Sequence, residues 1–119
     1  MPRTLPAASL FVYFRLLLPR WQRRRVNGRS MQPTLNEGET VLLDLFAYRQ
    51  AKPEVGDLVL AQHPFQPANQ MIKRITAVTE DGRFFLQGDN PEPTASTDSR
   101  SFGPVSPDKI VGKVTHRFV

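Results

Sequence analysis

From Thr40 onward the chain is cut into short runs of β-branched and aliphatic residues, each ended by turn-forming residues, and this pattern favours a compact, mainly β domain. Thr40-Val41-Leu42-Leu43-Asp44-Leu45 predicts one strand after the turn Asn36-Glu37-Gly38, and Asp57-Leu58-Val59-Leu60-Ala61 predicts another after Val55-Gly56. Gln70 to Thr79 reads as a longer strand. Its expected partner is Phe84-Phe85-Leu86-Gln87, across Glu80-Asp81-Gly82-Arg83, because Asp-Gly between apolar runs is a hairpin signal. Pro91 to Pro107, rich in Ser, Thr and Pro, reads as loop, and Lys109 to Phe118 as a closing strand. A chain of 119 residues has room for a single modest core.

Residues 1–25 differ in character and form an apolar, basic and helical N-terminal segment in this reading, with residues 26–119 as the β domain. Leu5 to Leu18 is mostly apolar but contains Arg15 and stops at Pro19. It is short of the roughly 20 apolar residues a membrane span needs. A signal peptide also fits poorly, because the basic residues follow the apolar run. The segment therefore reads as a helix that lies on a membrane surface or packs against the β domain. Much of the net charge of +5 sits at Arg20, Arg23, Arg24, Arg25 and Arg29. Such a cluster suits an anionic membrane or nucleic acid, or simply a solvated linker. Nucleic acid is the weaker partner, since Trp21 alone interleaves an aromatic ring with these arginines. The expected location is cytoplasmic or peripheral to a membrane.

The absence of Cys excludes disulfides, thiolate metal sites and a cysteine nucleophile. His63 and His116 show no paired ligand spacing, so no metal is expected. What remains for chemistry is a serine and a lysine. Ser30 lies between Gly28-Arg29 and Met31-Gln32-Pro33-Thr34, where a bend followed by Pro33 would expose its hydroxyl and aim its N–H at a bound carbonyl. An ordinary turn fits the same residues. Strand alternation puts Lys73 on one face with Met71, Ile75 and Ala77, an apolar setting that would lower its pKa and supply a neutral amine. The pattern equally fits a lysine running from a sheet edge to water. A serine hydroxyl needs a neighbouring base to become a nucleophile, and a lysine amine is one solution.

Four blocks, in order, resemble the signal peptidase I superfamily of Ser-Lys endopeptidases. They are Gly28-Arg29-Ser30-Met31-Gln32-Pro33-Thr34-Leu35, Val55-Gly56-Asp57-Leu58-Val59, Ile72-Lys73-Arg74-Ile75, and Gly88-Asp89-Asn90 followed by Ser96-Thr97-Asp98-Ser99-Arg100. The resemblance implies a signal-peptidase or LexA-like β fold and a proteolytic activity that needs no metal or organic cofactor. It implies Ser30 as nucleophile, Lys73 as general base, Ser96 as the residue that orients the lysine, and Asp98 with Arg100 as a structural ion pair. The long insertion of larger bacterial members is replaced here by Glu80-Arg83. The position two before the nucleophile, a serine in some members, is Gly28. That leaves a second oxyanion donor unassigned. The compact form looks most like the small branch of nickel-type superoxide dismutase maturation proteases, which implies a precursor protein as substrate and removal of its N-terminal extension. A general signal peptidase, a LexA-like self-cleaving module and a noncatalytic membrane or nucleic-acid binding module are the alternatives.

Overall fold

The run Leu58 to Ala61 carries Leu58 and Leu60 on one side and Val59 and Ala61 on the other, and the protein covers both sides. A computed structural model describes residues 20–92 and 97–118. Its elements in chain order are β1 (Trp21–Arg25), β2 (Thr40–Asp44), α1 (Ala47–Gln50), β3 (Leu58–Gln62), β4 (Gln70–Val78), β5 (Phe84–Gln87), α2 (Ser99–Phe102), a 3-10 turn (Pro107–Lys109) and β6 (Ile110–Arg117). The strands form one six-stranded sheet in the order β1-β2-β6-β3-β4-β5, each pair antiparallel. The mainly β expectation holds.

Two apolar clusters flank the sheet. One joins Val26, Met31 and Leu35 to Val41, Leu43, Leu60 and Val114. The other joins Val59, Ala61, Ile75, Phe84, Leu86 and Val105. Each large aliphatic side chain buried this way contributes roughly 1.5–3 kcal/mol of transfer free energy, which outweighs the weak local preferences of strands this short. Register shifts interrupt the ladder at Leu42/Leu43, Leu60/Ala61 and Ile75/Ala77. Such irregularities bend strands and increase twist. The sheet is consequently curled: β1 and β4 are four strand spacings apart in the order, about 19 Å if flat, yet Arg24 Nη1 donates to Gln70 Oε1 at 2.8 Å.

Three expectations change. Trp21–Arg25, assigned from sequence to a helical segment, is strand β1, paired residue for residue with β2 from Trp21↔Asp44 to Arg25↔Thr40. The partner edge of β2 and a two-pronged bond from Arg20 to the Asp44 carboxylate, both prongs 2.8 Å, fix it there. The rest of the expected N-terminal helix lies outside the described residues. The stretch from Pro91 to Pro107 was expected to be loop, but it contains α2, whose start is capped by the Asp98 carboxylate accepting from Arg100 N. Gly103, at φ +83°, ends it. Finally, the alternation that placed Ala77 beside Lys73 and Ile75 stops at the bulge after Ile75, and Ala77 is exposed.

Candidate active site

Ser30 stands at the first residue of the turn that follows Gly28 and Arg29, and burial on its far side holds that turn. Met31 and Leu35, 1% and 3% exposed, reach into the core from one face of a single helical turn closed by Leu35 N donating to Met31 O at 2.9 Å. Between these anchors Ser30 is only half-buried. Gly28 has φ +82° and nothing within 4 Å of where a Cβ would sit, so backbone conformation rather than space calls for glycine there. A serine at this position would be strained. The Gln32–Pro33 peptide is cis.

Lys73 approaches from the sheet. It pairs with Val59 of β3, placing its side chain on the side of Val59 and Ile75, and it is 4% exposed. Burial pushes its pKa below the ordinary 10.5; the Asp98 charge partly offsets this and Arg100 adds to it. Ser30 and Lys73 line one cleft of about 320 Å³. One wall is the segment from Arg24 to Met31, and the other is Asn69 with the start of β4 from Gln70 to Lys73, with Leu60 and Thr97 completing it. Because β5 pairs only with Arg74 to Val78, it leaves Gln70 to Ile72 on that edge without a strand partner among the described residues.

Hydrogen bonds tie the remaining motif residues to these two walls. Asp89 accepts from Arg74 Nε at 2.9 Å and Nη2 at 2.8 Å, and from Thr34 Oγ1 at 2.6 Å, linking the serine turn to the residue after Lys73. These bonds hold the Asp89 carboxyl below its usual pKa, Arg74 being the main cause. Asn90 donates from its backbone N to Ser30 O and from Nδ2 to Arg29 O, both at 2.8 Å. Arg74 Nη1 reaches Gly56 O at 2.8 Å, bringing in the Val55–Val59 block. Asp98, 1% exposed, accepts from Gly88 N at 2.9 Å and is held by Arg100 Nε at 3.0 Å and Nη2 at 2.6 Å. Ser96 lies outside the described residues. Reasoning from the sequence missed the linking roles of Thr34, Arg74, Asp89 and Asn90, although the motif blocks contained all four.

His63 does not line the cleft. It is buried, its Nδ1 accepts from Phe65 N at 3.0 Å and Gln66 N at 3.2 Å, and its ring packs 4.8 Å from that of Phe102. Its place is structural: His63→Ala is expected to lower stability by about 1–3 kcal/mol while leaving kcat/KM within a few-fold. Denaturant melts alongside turnover check this. Among the described residues no three side chains of His, Cys, Asp or Glu are grouped as a metal site.

The family of signal peptidases, peptidase S26, matches residues 2–81 and 78–119 of this chain, including the Ser30 turn and Lys73. The chain belongs to the signal peptidase S26 family. By class it is a serine-type peptidase of the signal peptidase kind. Among its relatives, mitochondrial ATP-independent inner membrane protease subunit 1a of Arabidopsis thaliana is 36% identical over 77% of this chain and 67% of its own length. Mitochondrial inner membrane protease subunit 2 of Danio rerio is 33% identical over 77% of this chain and 61% of its own length. Subunit 1 of Schizosaccharomyces pombe is 35% identical over 82% and 73%. The chain thus spans about two thirds of the length of these curated relatives. Among the described residues no helix is long and apolar enough to cross a membrane.

Proposed function

We propose that this S26 peptidase cuts precursor proteins with a Ser30–Lys73 dyad. The observation that carries the reading is the meeting of these two residues in one cleft with Lys73 buried, where desolvation favours its neutral amine. Lys73 takes the Ser30 proton as the hydroxyl oxygen attacks a peptide carbonyl, and the Ser30 N–H faces the developing oxyanion. The lysine then passes its proton to the leaving amine. Water deprotonated by the same amine releases the acyl group, without a metal or organic cofactor. Ser96 orients the amine in this reading, and the Asp98–Arg100 pair supports the floor beneath it.

The Gln70–Ile72 edge, which β5 does not reach, suits an extended substrate, whose backbone can pair with it while side chains settle into the cleft. The product is a precursor shorn of its N-terminal extension. The precursor of a nickel superoxide dismutase is the narrower candidate, supported by the compact form of the chain with its short Glu80–Arg83 connection. Contact with an anionic membrane belongs to the same proposal: the arginines from Arg20 to Arg29 follow the apolar Leu5–Leu18 sequence, and the relatives are named as inner membrane proteases. Nucleic acid has no comparable support.

The test is a pH profile combined with the N-terminus of the product. Incubation of the intact protein with candidate precursors should yield one new N-terminus each, read by mass spectrometry. The active form is the neutral amine, so kcat/KM should be low in acid and rise with pH through the Lys73 pKa, which burial places below 10.5. A rise of kcat/KM with pH that vanishes in folded His63→Ala would overturn the dyad.

A further inference from the structure

The cleft has a one-sided charge. Its ionisable lining residues are Arg24, Arg25, Arg29 and Lys73, and none of the chain's 11 Asp and Glu residues lines it. The ion pairs found among the described residues use Arg20, Arg74, Arg83, Arg100, Lys113 and Arg117, and leave Arg24, Arg25 and Arg29 out. Residues 1–19, 93–96 and 119 contain no Asp or Glu side chain, so they bring no such counter-charge to the cleft. Glu37 comes near the wall, accepting from Gly28 N at 3.3 Å.

Arg24 is held in a particular way. Its Nη1 donates across the cleft to Gln70 Oε1 at 2.8 Å and its Nη2 to Gln22 Oε1 at 3.2 Å. Both acceptors are neutral amides, so they orient the guanidinium without cancelling its charge. Two of its five N–H groups are used, and the others are available to a ligand. A carboxylate meeting this fork makes charge-assisted bonds, whereas a lysine meets like charge. Gln70 lies three residues before Lys73 on β4, about 10 Å along the strand. An extended substrate has the same rise, so its residue opposite Arg24 lies about three positions from the bond at Ser30.

We infer that Arg24 is a specificity residue which selects substrates carrying Asp or Glu about three residues from the cleaved bond. This rests on the protease reading above and narrows its substrate class. The pair would be partly solvated, which sets the expected discrimination between Asp and Lys at that position to about ten-fold in kcat/KM. The preference should weaken as salt rises.

The experiment incubates the intact protein with a mixture of peptides randomised in sequence and reads the cut sites by mass spectrometry. Matched peptides with Asp or Lys at the third position from the cut then give the ratio of kcat/KM. The expected result is acidic enrichment near that position, a ratio near ten, a ratio near one in Arg24→Gln, and an inverted ratio in Arg24→Glu. Should Arg24→Glu fail to fold, Arg24→Gln decides alone, because its neutral side chain removes the charge without introducing a new one. Cuts without acidic enrichment, or a ratio that folded Arg24→Gln leaves unchanged, overturn the assignment of Arg24 and leave the protease reading standing. Absence of any cut removes both.

Discussion

Ser30→Ala is expected to lower kcat/KM by about four to six orders of magnitude with no change of fold. The turn is held by Met31, Leu35 and the bonds from Asn90 to Ser30 O and Arg29 O, none of which uses the Ser30 hydroxyl. Lys73→Arg should be equally inactive, since a guanidinium stays protonated at any accessible pH and cannot accept the serine proton. Arginine is also larger and enters a site only 4% exposed, so misfolding alone is enough to make Lys73→Arg inactive. Lys73→Met separates the two effects. It keeps an unbranched apolar stem that fits the buried site, and should fold as the parent protein does while remaining inactive. Turnover of a precursor followed with circular dichroism melts checks all three variants. More than about one tenth of parental activity in folded Ser30→Ala or Lys73→Met would end the dyad mechanism, because loss of a nucleophile or its base is far costlier than that.

How much of this was legible beforehand differs by element. The strands β2 to β6 were readable because their apolar runs are bounded by Gly, Pro and Asn turns, and their ends moved by only a residue or so. β1 was not, because Trp21-Gln22-Arg23-Arg24-Arg25 has no apolar alternation, and a strand at the sheet edge can be set by backbone pairing alone. α2 was hidden for a similar reason: a four-residue helix has too little periodicity to register, and its cap, Asp98, was already accounted for as half of an ion pair. Ser30 and Lys73 could be singled out by residue type and local setting. Their meeting came only with the resemblance of the four blocks and not from any local pattern, because it depends on the curl of the sheet and on where the Met31 and Leu35 anchors pin the turn. The cross-links through Asp89 and the Arg24–Gln70 bond across the cleft depend on that same curl, so no local pattern points to them.

Asp89→Ala should produce the largest loss of stability among the site variants. It deletes one carboxylate that serves Arg74 twice and Thr34 once, and so unfastens the serine turn from β4. Breaking a buried charge pair by removing one partner costs about 3–5 kcal/mol. Here the Arg74 and Asp89 side chains keep 32% and 18% exposure, which solvent screening reduces to about 2–3 kcal/mol. For a chain of this size that is a fall in Tm on the order of 10 °C. The acid side of the stability curve should change as well. The folded-state pKa of Asp89 lies below its ordinary 3.8, so its contribution is present above that value and is lost as pH falls through the folded one. In Asp89→Asn this part of the pH dependence should disappear, which urea melts between pH 2 and 5 can measure. Activity in Asp89→Asn should drop through a lower kcat, while the pH at which kcat/KM rises stays with Lys73. A shifted rise with unchanged stability would instead make Asp89 part of the proton chemistry, and an Asp89→Ala protein as stable as the parent would dissolve the link between the serine turn and the strand that carries the lysine.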